Sequence, residues 1–163
     1  MKYIKLFETF VEGESNSVEY DEDELYATIK DRLAELDDRG YTIRISGCTD
    51  ELDIDIYYGA EENKKIFKSS DIIDDALTLI SVLSESRFLF CRFSLVHCAP
   101  GIQYSYPKDR GDRRTSITFK DGNYQGIDTG ILVDTLDDCE RIRGLRLSFI
   151  YYGSIINYHQ GID

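Results

Sequence analysis

The sequence has no tryptophan, one methionine, two histidines and two prolines in 163 residues. Each scarcity excludes something. Both prolines, Pro100 and Pro107, fall in one stretch, and twelve glycines are spread along the chain, so no long flexible linker is expected. The two histidines sit in His97-Cys98-Ala99 and His159-Gln160-Gly161, and neither matches the His-x-Ser/Thr pair of a phosphoesterase. The four cysteines, Cys48, Cys91, Cys98 and Cys139, form no C-x-x-C pair and no Cys/His set with zinc spacing. A reducing compartment is therefore expected. No apolar run is long enough to cross a bilayer. Lys5 and Glu8 interrupt the first residues, so no secretory apolar core is present. There is no G-x-G-x-x-G and no Walker loop, and "DGNYQGIDTG" has glycines without the lysine a phosphate cradle needs.

What is there reads as one globular domain. Apolar residues make 42% of the chain and charged residues 31%. The formal net charge is −12, and all of that excess lies in residues 1–80; residues 81–163 carry equal numbers of acids and bases. Such a field repels nucleic acid and anionic membrane over that surface and suits a basic partner. It is equally what solvated acidic helix faces produce.

The periodicity switches along the chain. Residues 1–12 place apolar side chains at 3/4, 6/7 and 10/11, the rhythm of an amphipathic helix, and Gly13 to Ser17 break it. Asp21 starts a second helix with Glu24 three residues on; Leu25, Ile29, Leu33 and Leu36 form its stripe and Gly40 stops it. "YTIRISG" and "LDIDIYYG" alternate with period two and predict a hairpin; if Gly47 faces Leu52, then Arg44 faces Asp55 on the outer side. Residues 71–84 return to helix rhythm through Ile73, Ala76, Leu77, Ile80 and Leu83. "RFLFCRFSLVH" predicts a central strand with Leu89, Cys91, Phe93 and Leu95 on its stronger face. Residues 98–113 read as a loop. Arg114–Lys120 reads as a strand with Ile117 and Phe119 inward, then a turn at Asp121-Gly122. A short helix through Leu136, Cys139 and Ile142 and a last strand through Leu145, Leu147, Phe149 and Tyr151 complete the pass. The expected fold is α+β: a mostly antiparallel sheet of about five strands with two or three helices on one face. Residues 1–13 are expected as an N-terminal amphipathic helix and residues 18–163 as the single α+β domain.

Three features bear on function. Asp53 and Asp55 place two carboxylates on one strand face, a pattern that suits a divalent cation and equally an exposed face with Arg44 beside it. His97 and Cys98 are adjacent, and neighbours on a strand point to opposite faces, so no thiolate–imidazole unit is expected. The stretch "PGIQYSYPKDRGDRR" gathers Tyr104, Tyr106, Lys108, Arg110, Arg113 and Arg114. Rings that stack and cations that pair with phosphate are the usual kit for nucleotides and nucleic acids, and tyrosine-rich loops bind proteins as well. Asp109 and Asp112 cancel part of that charge. These six residues are the expected binding site; no catalytic residue, metal ligand or cofactor is expected.

The opening "MKYIKLFETF" resembles the Met-Lys-x-Ile-Lys-x-Phe-Glu start of small uncharacterised proteins of contractile-tailed phages. Some such leaders resemble capsid-targeting sequences of internal head proteins. That likeness implies a prohead-protease cut after Glu12, within Phe10-Val11-Glu12-Gly13, although Phe10 stands where those proteins have Leu or Ile. The simpler reading is a helix covering one end of its own core through Ile4, Phe7 and Val11. The resemblance implies a non-catalytic accessory protein that binds a phage or host protein, as a virion component or a modulator of a host factor. Its location would be host cytoplasm or virion, with no membrane partner. The alternative expectation is a nucleotide or nucleic-acid binder using residues 100–114.

Overall fold

The computed structural model describes residues 3–9, 15–48, 50–108 and 111–160. In chain order the elements are β1 (Tyr3–Thr9), β2 (Ser15–Asp21), α1 (Glu22–Arg32), α2 (Ala34–Asp38), β3 (Tyr41–Cys48) and β4 (Glu51–Tyr58). There follow β5 (Phe67–Lys68), α3 (Ile73–Glu85), β6 (Phe88–His97), β7 (Gln103–Tyr106), β8 (Thr118–Lys120) and β9 (Asn123–Gln125). The last three are α4 (Thr129–Asp138), β10 (Arg141–Tyr151) and α5 (Tyr152–Gln160). The class is α+β, as the sequence predicts.

The main sheet runs β3-β4-β10-β6-β7, with β5 pairing the start of β10. Every pairing is antiparallel. The predicted hairpin forms with the predicted register: Gly47 faces Leu52 and Arg44 faces Asp55. The stripe Leu25, Ile29, Leu33 and Leu36 is buried, and the chain turns at Gly40 with φ +88°. Leu33 is itself a one-residue break between α1 and α2. On α3 the inward residues are Ala76, Leu79, Ile80 and Leu83, with Leu79 in place of the expected Leu77. These helices, with Leu132 and Leu136 of α4, close one face of the sheet over Ile54, Ile56, Leu145, Leu147 and Phe149. Burying each such side chain stabilises the fold by roughly 1.5–3 kcal/mol.

Strand β6 departs from simple alternation. Ser148 faces Arg92 and Phe149 faces Phe90, so Cys91 is an extra residue in a bulge. The bulge turns Phe88 and Phe90 to the same side as Phe93 and Leu95. Cys91 instead joins Ile117, Ile150 and Ile155 in a second small core on the other face. Thus α5 covers one corner of the face that the remaining helices leave open.

Four expectations are corrected. Residues 3–9 form a strand, not a helix, and pair with β2 so that Ile4 lies opposite Tyr20 and Leu6 opposite Val18. Apolar pairs over so short a run fit either period, and a ten-residue helix is marginal in water without packing. Residues 1, 2 and 10–13 of that call lie outside the described residues. The 98–113 loop contains strand β7, whose Tyr104 and Tyr106 pair with Leu95 and Phe93. The 114–120 strand is shortened by a 3-10 turn at Arg113–Ser116. Ile117 is inward as expected, but Phe119 is 63% exposed, because its hairpin partner β9 is not backed by a second layer there.

Candidate functional site on the open sheet face

Alternation on β4 and β10 puts Asp53, Asp55, Arg146 and Ser148 on the face away from the helices. Arg146 lies directly opposite Asp55, and its Nε and Nη2 donate to the two carboxylate oxygens at 2.6 and 2.9 Å. Arg113 reaches across from the 3-10 turn to Asp53, with Nη1 and Nη2 at 2.8 and 3.0 Å from its oxygens. The same guanidinium stands 3.5 Å from Glu51. Arg44 pairs with Glu61 at 2.6 Å. Forked pairs of this kind fix both direction and distance.

Arg44 was the residue expected to neutralise an aspartate. It faces Asp55 in register, yet β10 inserts on the other side of β4 and Arg146 takes the carboxylate instead. Such a non-local neighbour has no signature within the hairpin itself.

Burial raises the Asp53 pKa, but hydrogen bonds from Arg113 and Ser148 and the charges of Arg113 and Arg146 outweigh it, so the carboxyl titrates below its ordinary value. Burial lowers Arg113, and Asp53 and Glu51 more than restore it, leaving it raised. Asp53 is therefore an anion at neutral pH, held by the Arg113 guanidinium. Among the described residues no group of three or more His, Cys, Asp or Glu is placed to hold a metal ion.

Above these pairs lies a groove of about 200 Å³, whose lining includes Arg44, Asp55, Tyr57, Lys64, Val96 and Arg146. Lys64 Nζ stands 4.6 Å from the centre of the Tyr57 ring. Val96, at the border of the groove, is 40% exposed, and Ile102 nearby is 53% exposed.

Of the six residues singled out from the sequence, the tyrosines and Arg113 lie on different faces of the sheet. Tyr104 and Tyr106 belong to edge strand β7 and pack their rings on Phe93, at 6.2 and 5.8 Å between centroids, on the helix side of the sheet. Arg113 is on the opposite face. Arg114 folds back on Asp112, with Nη2 at 2.6 Å from the carboxylate. Lys108 is exposed. Arg110 lies outside the described residues.

His97 and Cys98 depart from the expectation of opposite faces. The chain leaves the strand at His97, and Cys98 Sγ comes within 3.7 Å of His97 Nδ1. The Ala99 amide already donates to that nitrogen at 3.0 Å. Cys91 is the opposite kind of thiol: burial pushes it up to about 12, which leaves it an uncharged core group.

The fold thus defines an α+β domain with one helix-covered face and one open, charge-paired face. Comparison of the chain with protein-family models, with curated proteins and with solved structures finds no match in any of the three. No helix of the described residues is long and apolar enough to cross a membrane.

Proposed function

We propose that the chain is a non-catalytic accessory protein of a contractile-tailed phage that binds a protein partner through the open face of its sheet. It acts as a virion component or as a modulator of a host factor. One observation carries this reading: the exposed Val96 lines a groove whose other walls are the Arg146–Asp55 pair, Arg44 and Lys64. An apolar centre within a rim of oriented polar groups is the anatomy of a protein interface. The same pairing argues against acid–base chemistry, because Asp53 and Asp55 are each engaged by a guanidinium.

The alternative, nucleotide or nucleic-acid binding by Tyr104, Tyr106, Lys108, Arg110, Arg113 and Arg114, is the weaker of the two. The two rings rest on Phe93 and Arg113 is already paired, so neither is poised for phosphate or base.

The test is affinity capture from lysate of infected cells, comparing the chain with Val96→Glu. Val96 is exposed, so the variant retains the far-UV spectrum and melting temperature. Recovery of the partner is expected to fall more than tenfold. Equal recovery by the variant would remove the open face from this reading.

A further inference from the structure

A second concavity lies at the opposite end of the hairpin from the Gly47 turn, where the end of α2, the start of β3, the end of β4 and β5 converge. It is about 520 Å³ and is lined by Arg39, Tyr41, Tyr58, Ile66, Phe67, Lys68 and Asp71. That volume is within the range of small-molecule sites. Within the acidic first eighty residues this lining carries two cations, Arg39 and Lys68, and one anion, Asp71.

The aromatic wall is three rings packed on one another. Tyr41 and Phe67 are almost fully buried and meet edge-on at 5.1 Å, and Tyr58 lies 5.1 Å from Tyr41 at 54°. A Cβ on Gly40 would stand 3.1 Å from the Tyr58 ring, so the glycine lets that ring settle against the backbone. Arg39 is committed to the frame: it donates to the Asp75 carboxylate at 2.9 Å and to the Asp71 carbonyl at 3.2 Å, and its Cζ sits 5.6 Å over the Tyr41 ring. The Tyr41 hydroxyl donates to the Asp71 carboxylate; burial and then the Asp71 charge raise that phenol above its ordinary value, so it stays a donor.

The solvent-facing side of the cleft carries a set of complementary groups. Tyr58 is half-buried and Ile66 is 43% exposed, so together they offer a face and an edge for a planar ring. Lys68 is exposed and forms no ion pair among the described residues. Lys65 Nζ stands 5.9 Å from the Tyr58 ring centre. Asp71 keeps acceptor capacity beyond the one tyrosine proton, since a carboxylate offers about four lone-pair sites.

We propose that this cleft binds a nucleoside monophosphate, with the base against Tyr58 and Ile66, the phosphate at Lys68, and the ribose hydroxyls at Asp71. A ring platform beside a cation is the arrangement by which bases and phosphates are held together. The site is independent of the open-face reading, since none of its lining residues belongs to the groove at Val96.

The experiment titrates the full chain with AMP, with adenosine and with ribose 5-phosphate, followed by calorimetry and by amide chemical shifts. At about 0.1 M salt the screening length is about 10 Å, so the local cations rather than the distant acids decide binding. AMP is expected to saturate and to shift the amides of Ile66, Phe67 and Lys68. Adenosine and ribose 5-phosphate are each expected to bind about tenfold or more weaker. Lys68→Glu, an exposed change that leaves the fold intact, is expected to weaken AMP about tenfold without altering adenosine. Tyr58→Leu is expected to weaken both. The proposal is overturned if no amide in the cleft responds to millimolar AMP, if ribose 5-phosphate binds as tightly as AMP, or if Lys68→Glu leaves AMP binding unchanged.

Discussion

Asp53 is where the sequence and the sheet meet most closely. Its carboxylate is 15% exposed and carries two hydrogen bonds from Arg113. Asp53→Asn keeps the shape, removes the charge and leaves Arg113 with Glu51 at 3.5 Å. The expected loss at pH 7 is about 2 kcal/mol, read from urea unfolding. Because the native pKa lies below the ordinary 3.8, the pair's contribution is present above that value and disappears as pH falls through the lower native one. The gap between wild type and Asp53→Asn is therefore expected to close below about pH 4. A gap that stays constant to pH 2 would contradict the assignment. The exposed pair Arg44–Glu61, with both side chains more than half accessible, contributes little by comparison. Asp53 was legible as one of two carboxylates on a strand face. Its partner was not, because Arg113 is sixty residues away in the chain.

At the scale of elements, local periodicity reports burial, and it was right wherever burial is one-sided. The stripe of α1 and α2, the hairpin of β3 and β4 with its register, and β10 from Leu145 on were readable for that reason, whereas Ile142, expected in the preceding helix, belongs to β10. It failed at β6, where the Cys91 bulge changes parity in mid-strand. It failed again at β7, a four-residue edge strand whose tyrosines look like loop residues until Phe93 is beneath them. The segment from β9 to α4 shows a third limit. Strand β7 pairs β6 only from Phe93 to Val96, and the Ile127 amide takes the Phe90 carbonyl beyond it at 2.8 Å. Gly126 makes that approach possible, since a Cβ there would fall 2.5 Å from the Phe90 oxygen. Gly126→Ala is expected to destabilise by about 1–3 kcal/mol, with faster amide exchange at Ile127. Unchanged unfolding and exchange would show that the backbone can yield there at no cost.

The whole molecule carries its −12 unevenly, and residues 1–80 hold all of it. Self-repulsion among those acids opposes folding. Raising salt from about 0.01 M to about 0.15 M shortens the screening length from about 30 Å to about 8 Å. The melting temperature is therefore expected to rise by about 2–5 °C over that range. A fall would mean that the exposed ion pairs of the open face outweigh the repulsion. The two proposed surfaces also belong to this scale. The open face needs β3, β4, β10 and β6 side by side, and the aromatic cleft needs Arg39, Tyr58 and Lys68 brought together from three parts of the chain.

By itself the sequence determined the α+β class, the faces of the main helices and the hairpin at residues 41–58, because apolar spacing along a segment states which side must leave water. Which arginine meets which aspartate, where the cations and rings gather, and which face stays open were decided only by the order of strands in the sheet. That order brings residues tens of positions apart into contact, and spacing along the chain carries no trace of it.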